Sequence, residues 1–149
     1  MTDFNLTQYE VTDRNSVKYS IGSITMNGET PWLMVKPATE SNKPFAKAQL
    51  LRSNKRARAA GARGMTLEGL DANRADDREL YPLFIITGWG NVFDTNQQPV
   101  AFSQSVCKEF IAQLPAWIFD DIRVFCSQAS NFVNVATDDS LVDKDAVGN

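Results

Sequence analysis

Two hydrophobic periodicities share this chain, and they occupy different parts of it. Between residues 9 and 36 apolar side chains recur at every second position: Tyr9 and Val11, Val17, Tyr19 and Ile21, Ile24 and Met26, then Trp32 and Met34. A period of two puts alternate side chains on one face of a strand. Asn27-Gly28 lies inside this segment, and that dipeptide suits a type I′ hairpin turn, which needs positive φ at both central residues. The spacing predicts a hairpin of residues 23–26 against 32–36. Asp13-Arg14-Asn15 supplies a second turn, making the segment a three-strand antiparallel meander that Pro37 ends.

From residue 42 onward the period becomes helical. Asn42 can cap a helix whose missing first N–H falls harmlessly at Pro44, and Phe45, Ala48 and Leu51 with Ala46 and Leu50 form its apolar stripe. Gly61 and Gly64 break this helix, and a second starts after Thr66 and runs through Leu67, Leu70 and Leu80. Leu83-Phe84-Ile85-Ile86 fits either a helix end or a short strand, four residues being too few for periodicity to decide. Trp89, Val92 and Phe93 face Val100 and Phe102 across an Asp-Thr-Asn-Gln turn, a short Trp-containing hairpin. Ser103 caps a third helix and Pro115 opens a fourth, with Phe110, Leu114, Ile118, Ile122 and Phe125 as the expected core of this part. The fold class is therefore α+β: an N-terminal antiparallel β-meander followed by a mainly helical part. It reads as a single globular domain over 1–132, β over about 9–36 and mainly helical over 42–132, with an acidic tail over 133–149.

Composition removes several kinds of chemistry. The 149 residues contain no histidine, and with it go the commonest general base, the commonest zinc ligand and every Ser-His-Asp or Cys-His mechanism. Walker A, dinucleotide and G-x-S-x-G loops are absent from the sequence. Cys107 and Cys126, the only thiols, fall in apolar helical patterns and read as small buried residues ahead of a disulfide or paired metal ligation, for which no other soft ligand is available. Asp76-Asp77-Glu79, Asp120-Asp121 and Asp138-Asp139 read as solvated acids, because neighbours on a helix point in different directions and cannot clamp one ion. The expectation is a protein that is not an enzyme and has neither catalytic residues nor a metal or cofactor. A net charge of −3 and the lack of a basic, apolar leader or a spanning segment predict a soluble protein of the cytoplasm with no membrane partner.

Binding is the remaining reading. Seven basic residues and no acid lie between 43 and 63, whereas the second helix carries Glu68, Asp71, Asp76, Asp77 and Glu79 against Arg74 and Arg78. Packed antiparallel, the two would bring opposite charges together. The candidate partner-binding residues are Lys47, Arg52, Lys55, Arg56 and Arg58, with Trp89 between Gly88 and Gly90 as an interface aromatic; for the three tryptophans, Trp32, Trp89 and Trp117, core packing is the competing explanation. A solvated, solubilising face or a dock for an acidic protein outranks nucleic acid, since stacking aromatics other than Phe45 are missing from the basic stretch.

Five phrases carry a family resemblance: VKPATESNKPF at 35–45, RELY at 78–81, GWGNVFD at 88–94, PVAFS at 99–103 and LPAWIFD at 114–120. Their order resembles the tail assembly chaperones of tailed bacteriophages, with Asn96-Gln97 standing where those relatives often carry Asp-Gly. The resemblance implies a non-enzymatic factor that coats the tape-measure protein in the host cytoplasm during tail morphogenesis. It supplies no active-site residues. A permanent virion protein of the tail or the head-to-tail connection, a DNA-packaging accessory that binds nucleic acid, and self-association remain as alternatives.

Overall fold

The Asn27-Gly28 turn forms as its residues require: φ is 48° at Asn27 and 77° at Gly28, and Met26 and Glu29 exchange two backbone hydrogen bonds of 2.8 Å. A computed structural model describes residues 2–60 and 67–133. In it the strand facing Trp32–Val35 (β2) is Val17–Ser20 (β1), in the register Val17 to Val35 and Ser20 to Trp32. Residues 23–26, expected to be that strand, keep only the bridge from Met26 to Glu29 beside the turn.

The third strand comes from elsewhere. Thr7–Tyr9 forms a short 3-10 turn, with Tyr9 exposed, instead of a meander strand. The turn at residues 12–15 does form, through Thr12 N–H to Asn15 Oδ1 at 2.8 Å, but among the described residues no strand precedes it. The open edge of β2 is filled by Ile86–Gly90 (β3), antiparallel, with Leu33 opposite Trp89 and an irregularity between Met34 and Val35. A central strand must pair both rows of its backbone groups, and the segment that does so lies some fifty residues further along the chain.

Among the described residues four α-helices complete the α+β fold: Lys43–Ala60 (α1), Leu67–Phe84 (α2), Gln104–Gln113 (α3) and Ala116–Cys126 (α4). Asn42 caps α1 by accepting from Phe45 N–H, and its amide donates to Pro37 and Phe84 carbonyls at 3.1 Å each. Ser103 caps α3 by accepting from Val106 N–H at 3.2 Å. The break at Gly61 and Gly64, the cap at Thr66 and the acidic tail beyond Val133 lie outside the described residues. Leu83-Phe84-Ile85-Ile86 divides: Leu83 and Phe84 end α2, and Ile86 begins β3.

The core lies between the sheet and the helices. Leu33, Val35, Phe45, Leu80, Tyr81, Ile85, Ile111, Ile118, Phe119 and Ile122 are buried. Tyr81 of α2 is central, its ring edge-on to Phe45 of α1 and to Phe119 of α4 at centroid distances of 5.7 and 5.3 Å. Two expected core residues are displaced: Phe110 and Phe125 are only half-buried, while Ile111, Cys107, Cys126 and Phe132 are sealed. Phe125 packs instead on Tyr19 of the sheet, 4.8 Å between centroids. Arg78 of α2 donates to the carbonyls of Ile111 and, at 2.9 Å, Leu114. It thereby satisfies groups that the end of α3 leaves open.

Candidate protein-binding face on the first helix

Beyond Phe45 and Ala48 the inner side of α1 is polar. Arg52 reaches Glu79 at 2.5 Å and Asp76 at 3.8 Å, Arg56 pairs with Asp76 and Asn73, and Gln49 donates to Asp77 at 3.2 Å. The expected meeting of opposite charges between the first two helices is therefore present. It continues into α4, where Arg123 bonds Asp77 at 2.8 Å and Asp120 at 3.0 Å, and Arg74 makes a two-pronged bond to Asp120 at 2.9 and 2.8 Å. The hydrogen bond from Arg52 holds the Glu79 carboxyl below its ordinary range, and the one from Arg74 does the same for Asp120. Burial lowers the Arg78 guanidinium.

This network corrects two expectations. Asp77 is buried, not solvated, and Asp76 and Asp120 are engaged by arginines. Of the candidate binding residues, Arg52 and Arg56 face inward and are held by acids of the same chain. Lys47 and Arg58 are exposed on the opposite side of α1 and Lys55 on its flank, where they make no ion pair among the described residues. Trp89 stands apart from them. It lies in β3 with its indole N–H on the Val100 carbonyl at 2.8 Å and its ring edge-on to Phe102 and Phe110. That contact fastens the expected hairpin, which closes with Val100 N–H on Val92 O at 2.8 Å and Asp94 Oδ1 accepting from Asn96 and Gln98.

Other residues take the surface that Trp89 does not. Leu50 and Leu51, assigned to the apolar stripe from the sequence, are 60% and 62% exposed. A signal was available: at 100° per residue Leu50 and Leu51 lie on the far side of the helix from Phe45, whereas Gln49, Arg52 and Arg56 follow Phe45 at helical spacing. Trp117 also faces outward from α4, against the core reading. The outer face of α1 thus combines Lys47, Lys55 and Arg58 with two leucines, a cationic rim around an apolar pair. Both cysteines are buried and unbonded, and burial pushes the Cys107 thiol up to about 12. Among the described residues no helix is long and apolar enough to cross a membrane.

The described residues thus form an α+β domain with a charge-zipped helix pair and a basic, leucine-bearing outer face. Residues 40–143 match the YdaY prophage protein family, and the chain belongs to that family. Its phage-related origin agrees with the resemblance carried by the five sequence phrases. No curated protein and no solved structure matches the chain.

Proposed function

We propose that this prophage protein works without chemistry of its own, as a tail assembly chaperone that holds the tape-measure protein in the host cytoplasm until tail subunits assemble around it. The observation that carries the reading is the outer face of α1, where Lys47, Lys55 and Arg58 surround exposed Leu50 and Leu51. Removing Leu50 and Leu51 from water on a partner supplies affinity, and the cations select an acidic partner and speed the encounter. Modest affinity at each face, multiplied over many copies on a long client, lets the factor bind firmly and still be released. The sequence's lack of histidine and of nucleotide-binding loops supports a role in binding.

Co-expression with the tape-measure protein of the same prophage, followed by size-exclusion chromatography, tests the reading. The wild-type chain should co-elute with the client, and the triple reversal Lys47→Glu, Lys55→Glu, Arg58→Glu should not. Exposed charges contribute at most about 1 kcal/mol each to stability, so the variant should keep its fold by circular dichroism. Co-elution unchanged by the reversal would remove α1 from the interface. Retention of duplex DNA by the wild type, collapsing with salt, would move the protein to the nucleic-acid class.

A further inference from the structure

The outer faces of α1 and α4 are complementary. On α1, Leu51, Asn54 and Arg58 fall on one outward line, with Leu50 and Lys55 beside it, and all five are exposed. On α4, Trp117, Asp121 and Val124 do the same, Trp117 being 59% and Val124 57% exposed. Read in opposite chain directions the two lines have the same spacing, four residues and then three. Each therefore spans about 10 Å at the helical rise of 1.5 Å per residue.

We propose that copies of this chain associate through these two faces, α1 of one copy lying antiparallel on α4 of the next. In that register Arg58 covers the Trp117 ring, a favourable cation–π arrangement. Asn54 and Lys55 meet the Asp121 carboxylate, and Leu50 and Leu51 pack on Val124. One turn further on, Lys47 faces the carbonyl end of α4, where a helix favours positive charge. The basic face thereby gains an acid on a second copy, since the acids that α2 presents to α1, Asp76 and Glu79, are taken by Arg52 and Arg56. Because the two surfaces differ, a pair joined at one interface leaves one α1 face and one α4 face open, and association runs on to a ring or an open string. The inference rests on the reading of α1 as a docking face, and it makes a second copy and the client competitors for that face.

Sedimentation velocity of the full chain alone, over a concentration series, tests it. The wild type should rise above monomer mass with concentration. Trp117→Ser and Leu51→Asp, both on exposed positions, should each remain monomeric, and Val124→Asp should repeat the first result independently. An equimolar mixture of Trp117→Ser and Leu51→Asp should give a species of twice the chain mass and nothing larger, because one intact α1 face and one intact α4 face remain. A wild type that stays monomeric throughout, variants that associate like wild type, or a mixture that yields no dimer would each overturn the proposal. Trp117→Ser keeps α1 intact, so it should still co-elute with the tape-measure protein. Loss of self-association therefore reads separately from loss of the client.

Discussion

Arg123 Nε donates to Asp77 Oδ2 across 2.8 Å, tying α4 to α2 at a carboxylate whose side chain is only 6% exposed. The two partners are not equivalent. Arg123 has a second acceptor in Asp120 and is partly in water, whereas Asp77 without Arg123 would keep only the Gln49 amide. Arg123→Ala should cost about 3 kcal/mol, the lower end for stranding a buried charge. Asp77→Asn, which keeps an acceptor in place, should cost about 1 kcal/mol. Arg52→Ala, removing an exposed pair, should stay under about 1 kcal/mol. Urea titration of the three variants ranks them, and equal losses for Arg123→Ala and Arg52→Ala would contradict the burial argument.

The helical core should respond to Ile111 more than to Phe110. Ile111 is wholly buried, so Ile111→Ala should lose about 3 kcal/mol through lost transfer energy and the cavity left behind. The Phe110 ring is only partly buried and leans on Trp89 at 5.3 Å, so Phe110→Ala should lose about 1.5 kcal/mol. Denaturant midpoints decide, and the reverse order would show that α3 is turned on its axis.

On the outer side of the sheet, Trp32 lies flat over Gly90, and a Cβ at Gly90 would stand 2.4 Å from two atoms of the indole. Gly90→Ala should therefore displace the ring from beneath Lys18, whose Nζ is 4.7 Å from its centroid. The expected cost is about 1–3 kcal/mol, with altered tryptophan emission. Gly88→Ala is the control, since its Cβ would meet only Met34 Cβ at 3.8 Å. Its effect should be within about 0.5 kcal/mol.

Acid should weaken the fold through Glu79 and Asp120. Both carboxyls sit below their ordinary values in the folded chain because Arg52 and Arg74 hydrogen-bond them. The unfolded chain takes up these protons first as pH falls, so the stabilisation is complete above the ordinary carboxylate range and disappears as pH drops through the lower folded values. Asp120→Asn should flatten that acid limb of the stability curve and leave its neutral limb flat. Thermal melts between about pH 2.5 and 7 would check the sign, and a steeper acid limb in the variant would refute the Arg74 assignment.

What the sequence determined by itself was the local structure. Asn27-Gly28 sets its turn because few residues tolerate two successive positive φ angles. Asn42 and Ser103 start their helices because a short polar side chain can satisfy the open N–H groups there, and helical spacing after residue 42 against alternation before 36 is enough for an α+β class. The concentration of opposite charge on adjacent segments also forecast the pairing of α1 with α2. Tertiary structure alone decided which segments fill the sheet and which charges remain outside. Whether the third strand comes from around Tyr9 or from Ile86–Gly90 depends on backbone groups distant in sequence, a competition that periodicity does not register. Arg52 and Lys55 carry the same charge three residues apart. Only the position of α2 makes one a zipper tooth and the other a surface cation, just as the placement of the 92–100 hairpin seats Trp89 while the outward side of α4 leaves Trp117 in water.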